Sequence, residues 1–194
     1  MSISPERKAA LEAAGHRAAL SYVERLAQDR VPLGQVELRE IHRLIFQDSW
    51  PDIAGRYRTH AVEITGTSYH PPHWRHVPTL MYQILDALND RVRTLSADDV
   101  SGIVELAAQA HYDVIRIHPF RDGNGRMARL VMNYVFLYFD LPYVIIPHHA
   151  REQYLDALEA ANRGDLSRFI HFVAQQYDRA LDMALGLSEN GQSG

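Results

Sequence analysis

Most of the chain repeats its apolar positions at helical spacing. Across residues 5–26, alanines with Leu11, Leu20 and Tyr22 are interleaved with Arg and Glu, and Val36, Leu38, Ile41, Leu44 and Ile45 then follow close to the helical period. The period returns across 77–88. Ser96 stands where an N-cap is wanted, with Asp98 and Asp99 placed to favour the positive end of a helix dipole. The stripe behind it, Val100, Ile103, Val104, Ala107, Ala110 and Val114, is one helix face. Pro119 ends that run, because the residue before a proline is pushed out of helical geometry. A second helix over 125–139 is apolar nearly all round, and two more fit 151–162 and 166–185. Only residues 55–78 break the pattern. Ala61-Val62-Glu63-Ile64-Thr65 reads as a short strand, stopped by Gly66 and the Pro71-Pro72 pair, which predicts a short β-hairpin or flap. The expected fold is all-α: a helical bundle carrying one small hairpin.

Composition narrows this further. A chain of 194 residues with 46% hydrophobic content is one ordinary domain with a real core, not a disordered polar segment. The expected boundaries are a single domain over 1–187 and a polar, Gly-rich tail over 188–194 that frays. A formal charge of −4 argues against a general affinity for nucleic-acid backbones, but leaves room for a local basic site. Cysteine is absent, so disulfides and thiolate chemistry are excluded. The N-terminal residues lack a basic region followed by an apolar one, and the most apolar run, 130–137, is too short for a bilayer. No membrane partner is expected, and the expected location is cytoplasmic, or that of an effector exported without a visible signal.

The chemistry gathers in residues 118–129, His-Pro-Phe-Arg-Asp-Gly-Asn-Gly-Arg-Met-Ala-Arg. Gly123 and Gly125 flank Asn124 at the start of a helix, where backbone N–H groups approach an anion closely and the dipole adds positive potential. Arg126 and Arg129 share one face of the first turn. Cations there oppose the dipole by roughly 0.3–1 kcal/mol each, a conflict that a bound polyanion would remove. Asp122 offers an oxygen of the kind Mg²⁺ takes beside phosphate. His118, at a helix end before Pro119, titrates in the range of a general base near neutral pH. Each feature has an ordinary reading: a capping histidine, a turn, solvated arginines. Their concentration in one short window implies phosphoryl or nucleotidyl transfer. Residues 123–128 also fit a dinucleotide fingerprint, but a helix, not a strand, precedes them.

At every fixed position this window matches the signature His-Pro-Phe-x-(Asp/Glu)-Gly-Asn-Gly-Arg-x-x-Arg, and the chain on that ground resembles the Fic family. Gly55-Arg56-Tyr57-Arg58, the Pro71-Pro72 segment and Ala160-Ala161-Asn162-Arg163-Gly164-Asp165 are similar to the Fic domain that AMPylates an Hsp70 chaperone, so the likeness spans roughly 15–185. The resemblance implies the Fic-fold helical bundle and transfer of AMP from ATP to a Ser, Thr or Tyr hydroxyl of a target protein. It implies His118 as base, Asp122 as the Mg²⁺ ligand, and Gly123, Asn124 and Gly125 as an anion hole. Arg126 would meet the departing phosphates and Arg129 the γ-phosphate. Tyr154, Leu158 and Asn162 would line the adenine pocket. Val62, Glu63, Ile64 and Thr65 would be the flap that registers the target by β-augmentation.

The family admits other outcomes: removal of AMP, transfer of UMP or phosphocholine, or a toxin of a toxin–antitoxin pair using the same chemistry. A homodimer is also compatible with it. Many members carry an inhibitory helix, Ser/Thr-x-x-x-Glu-Gly/Asn. Here Leu185 stands where its Ser or Thr belongs before Glu189-Asn190, and Arg7 follows Glu6 where Gly or Asn belongs after Ser2. Three readings follow: an antitoxin-like partner supplies the missing glutamate, the site has no such restraint, or the inhibitory element belongs to a longer chain. His70, His73 and His76, recurring every third residue, read as surface or target-contacting side chains.

Overall fold

Helices α4 (Val100–Ile117) and α5 (Asn124–Tyr138) form the centre of the molecule and are joined by the short loop that carries the signature. The structure is a computed structural model that describes residues 4–64, 66–67 and 69–186. Helix α1 (Pro5–Gln28) packs on α2 (Gln35–Phe46) and on α5, while α3 (Val77–Thr94) and α7 (Ser167–Ala184) cover α4. Helix α6 (Arg151–Asn162) pairs with α7 and also reaches α4. One core links them, with Phe46, Ile103, Ile117, Phe120, Tyr134, Phe136 and Phe169 fully buried. Among the described residues no helix is long and apolar enough to cross a membrane.

The helix ends follow local chemistry. Ser4 Oγ accepts from the Arg7 N–H at 3.3 Å, and Pro5 opens α1, where a missing N–H has no consequence. The expected cap at Ser96 is displaced. Ser96 Oγ accepts from the Asp98 N–H at 3.2 Å and closes a local turn, so Asp99 caps α4 instead, accepting from the Gly102 N–H at 2.9 Å.

The fold is all-α, as expected, but no hairpin ladder forms among the described residues of 55–78. Val62, Glu63 and Ile64 pair with no strand, and Thr65 lies outside the described residues, as does the tail over 187–194. A lone extended stretch has no ladder partner here. The segment is tied down instead by an isolated antiparallel bridge between Tyr57 and Phe120 and by the Arg58 side chain.

Candidate active site

His118 terminates α4 in the left-handed region, at φ 51° and ψ 59°, with its N–H still bonded to the Val114 carbonyl at 2.9 Å. Its Nδ1 lies 3.3 Å from the Ile115 carbonyl, a contact that fits Nδ1 as the protonated nitrogen and leaves Nε2 as a lone-pair acceptor. Burial, reinforced by Arg58 nearby, holds the imidazole below its ordinary range, against the pull of Ile115 and Asp122. The neutral, basic form is therefore favoured.

Arg58 fixes the backbone around this histidine. It is 4% exposed, and its guanidinium donates to the carbonyls of His118 at 2.8 Å, His60 at 3.0 Å and Pro72 at 2.5 Å. Its own N–H donates to the Pro119 carbonyl at 2.9 Å. A buried arginine surrounded by carbonyl oxygens thus fastens the 55–72 segment to the signature loop. His42 of α2 supports the loop from the other side. The Gly55 N–H donates to its Nδ1 at 3.0 Å, so Nε2 carries the proton and meets the Asp122 carbonyl at 3.1 Å. The ring stacks on Phe120 at 3.8 Å.

The glycines divide the labour. Gly123 adopts φ 79°, and a Cβ there would lie 2.6 Å from the Phe46 ring, so both backbone and packing require glycine. Gly125 has no such constraint: a Cβ there would meet only Arg129 Nη1, at 3.4 Å. What its missing side chain leaves open is the approach to the first N–H groups of α5, which have no partner within the helix. The Asn124 side chain is not part of that opening. Its Oδ1 accepts from the Phe120 N–H and its Nδ2 donates to the Phe120 carbonyl, each at 2.9 Å, so the side chain staples the loop and leaves to the backbone any part Asn124 has in the expected anion hole.

Arg126 and Arg129 line a cleft of about 620 Å³ together with Glu12, His16 and Arg17 of α1 and Tyr143 to Ile146 of the loop after α5. Arg126 Nη1 lies 2.6 Å from Glu12 Oε2, so the cation at the helix start already has a protein carboxylate beside it. The sequence conflict at Arg126 therefore does not by itself require a bound polyanion. Among the described residues no carboxylate pairs with Arg129. Asp122 is exposed, accepts from the Gly123 N–H and stands 3.8 Å from Arg126 Nη2. Glu6 sits at the exposed start of α1, and Ser2 and Glu189 lie outside the described residues.

The expected adenine residues part company. Tyr154 and Leu158 are core, 8% and 7% exposed, and the Tyr154 hydroxyl sits 3.4 Å from His111 Nε2, among Phe169 and Phe172. Helix geometry turns the neighbouring Leu155, 42% exposed, outward in their place. Asn162 is half-buried at the end of α6. It accepts from the Tyr112 hydroxyl at 3.2 Å and reaches Thr67 Oγ1 at 3.3 Å, linking α4, α6 and the segment between α2 and α3.

The fold is an all-helical domain in which a buried histidine ends α4, and two arginines at the start of the next helix, α5, line a cleft. A model of the Fic/DOC family matches residues 32–136, and the chain belongs to that family. "Protein adenylyltransferase Fic" of Nematostella vectensis is 38% identical over 176 residues, covering 90% of this chain and 39% of that protein. "Protein adenylyltransferase fic-1" of Caenorhabditis elegans is 34% identical over 177 residues, covering 90% of this chain and 34% of its own. The chain thus spans well under half the length of these curated relatives. Among solved structures, Fic-1 from C. elegans superposes with a TM-score of 0.80 at 32% identity, over 95% of this chain and 54% of that one. A Fic domain containing signaling protein from Bacteroides thetaiotaomicron gives 0.79 at 29% identity, over 90% and 71%.

Proposed function

We propose that the chain is a protein adenylyltransferase that moves AMP from Mg-ATP to a hydroxyl side chain of another protein. The observation that carries this is the state of His118: Nδ1 engaged at Ile115, Nε2 free, and the ring held neutral by burial on the loop that leads into the arginine-bearing start of α5. Relatives at 38% and 34% identity bear the name of that activity. The target hydroxyl attacks the α-phosphorus of ATP as Nε2 takes its proton. A new oxygen–phosphorus bond forms, the bond to the β-phosphate oxygen breaks, and pyrophosphate leaves. The α5 N-terminus beside Gly125 receives phosphate oxygens. Arg126 and Arg129 neutralise the charge that develops on the leaving group.

Among the described residues no cluster of three or more His, Asp or Glu could hold a metal alone. The single exposed Asp122 beside a phosphate cradle suits Mg²⁺, which takes one or two carboxylates and fills its shell with phosphate and water. Bound there, the ion would screen the phosphate charge and orient the chain of phosphates for in-line attack. Most of the acceleration then comes from alignment and fixed charge. The 61–67 segment, tied through Thr67 to Glu159 at 2.7 Å and to Asn162, is the natural place for an extended target strand to pair.

His118→Ala should abolish transfer of labelled AMP while Mg-ATP binding stays measurable. Intact-mass analysis of targets in lysate separates gain of AMP from gain of UMP or loss of AMP. Labelling by the variant at the wild-type rate would remove His118 from the role of base.

A further inference from the structure

We infer that Glu12 is a positioning residue: from α1 it holds the Arg126 guanidinium in the orientation in which that arginine meets the nucleotide phosphates. The inference rests on the nucleotidyl-transfer reading of the cleft and goes beyond the signature, since Glu12 lies 114 residues away in sequence.

Three elements converge on the guanidinium. Glu12 Oε2 on α1 takes Nη1 at 2.6 Å. The Phe46 ring at the end of α2 lies under the guanidinium carbon at 4.7 Å. Asp122 on the signature loop stands 3.8 Å from Nη2. A carboxylate at one edge and an aromatic face below leave the planar fork few orientations, whereas an unrestrained arginine must give up rotamer freedom at each binding event. Glu12 is itself secured. Its side chain is 16% exposed, and its second oxygen lies 3.7 Å from Lys8 Nζ, which in turn sits over Trp50. The carboxylate thus faces two cations, so its negative charge is offset before phosphate arrives.

The backbone makes the reach possible. A Cβ at Gly15 would fall 2.5 Å from the carbonyl oxygens of Leu44 and Ile45, so only glycine lets α1 press on the end of α2. Glu12 lies one turn before Gly15 on the same face, which brings its carboxylate to the place where α2 ends and α5 begins. With Glu12 in its wall the cleft of about 620 Å³ stays open beside both arginines, as expected of a support and not of a plug.

The test pairs Mg-ATP binding by calorimetry with AMP-transfer kinetics for Glu12→Ala, Glu12→Gln, Arg126→Ala and the Glu12→Ala/Arg126→Ala double variant. Glu12→Ala should lower kcat/KM for ATP about tenfold, with KM raised and kcat reduced, while Glu12→Gln recovers part of the loss because its carbonyl can still accept from Nη1. The double variant should be no worse than Arg126→Ala alone, since the carboxylate acts only through that arginine. Should Glu12→Ala fail to fold, the nearly isosteric Glu12→Gln and its cycle with Arg126→Ala carry the comparison. Activity or ATP affinity at or above wild type in the Glu12 variants would overturn the inference and make Glu12 a competitor or a bystander. If the wild-type protein transfers no AMP to any target, the proposed reaction fails by itself. Glu12 is then judged on ATP affinity alone: an Arg126-dependent weakening supports it, and unchanged affinity rejects it.

Discussion

Gly123 and Gly125 are two residues apart, yet they answer to different forces. Gly123 sits at positive φ against the Phe46 ring, so Gly123→Ala must either strain the backbone or displace Phe46, the ring that also underlies Arg126. Gly125 has ordinary backbone geometry and open space except toward Arg129. Gly123→Ala should therefore lower the melting temperature, by several degrees for a loss of 1–3 kcal/mol or so. Gly125→Ala should leave the melting temperature within about a degree and weaken ATP binding about tenfold or more, through the methyl group set in the phosphate approach. Thermal melts and calorimetry separate the two, and equal effects on both measurements would dismiss the division. The signature made His118, Asp122, both glycines and both arginines legible, because the chemistry sits in consecutive residues. Glu12, His42 and Arg58 were not legible as its supports, since tertiary folding brings them in from 114, 80 and 60 residues away. Tyr154 and Leu158, expected at the adenine pocket, lie in the core, a burial that their place on α6 sets and that single residue types do not reveal.

At the level of elements, the helices were legible and the segment between α2 and α3 was not. Most of the helices bury one face against a neighbour and α5 is buried nearly all round, so the burial pattern is written in each stretch alone. The 55–72 segment buries little and takes its course from scattered hydrogen bonds, those of Arg58 above all, a pattern with no period to detect. Arg58 is the fastening between that segment and the end of α4. Arg58→Lys keeps the charge but replaces a planar fork by a single ammonium, which cannot serve the carbonyls of His60, Pro72 and His118 together. Each carbonyl left without a donor while buried costs about 1–3 kcal/mol. Arg58→Lys should lower stability to chemical denaturant by an amount in that range and reduce AMP transfer more than ATP binding, because the loosened parts are His118, the proposed base, and the segment proposed to dock the target. Wild-type denaturation and kinetics in this variant would show that the bridge between Tyr57 and Phe120 suffices alone.

Across the whole molecule, two histidines are folded into the interior as neutral rings. His42 and His111 have no exposed surface, and burial pushes them down from 6.5 to about 4 and about 3. In the unfolded chain both titrate near 6.5, so below that pH the unfolded state binds protons that the fold refuses. The contribution of each ring is fully present above pH 6.5 and falls away as the pH drops toward its folded value, at roughly 1.4 kcal/mol per pH unit. By pH 5 each ring accounts for a loss of about 2 kcal/mol, a large share of the 5–15 kcal/mol that holds an ordinary domain. Asp113, whose carboxyl burial raises, works in the opposite direction. His111 is the cleaner probe, since its Nδ1 has no hydrogen-bond partner and its ring packs on Phe169 and Tyr154. His111→Phe keeps an aromatic ring in that cluster and removes one titrating site. Between pH 6.5 and 5 the fall in melting temperature should be shallower in His111→Phe than in the wild type by one ring's share, the rest staying with His42, His118 and His16, which burial also holds below their ordinary range. An unchanged slope would mean that acid acts through other groups, and that His111 does not remain neutral in the folded core.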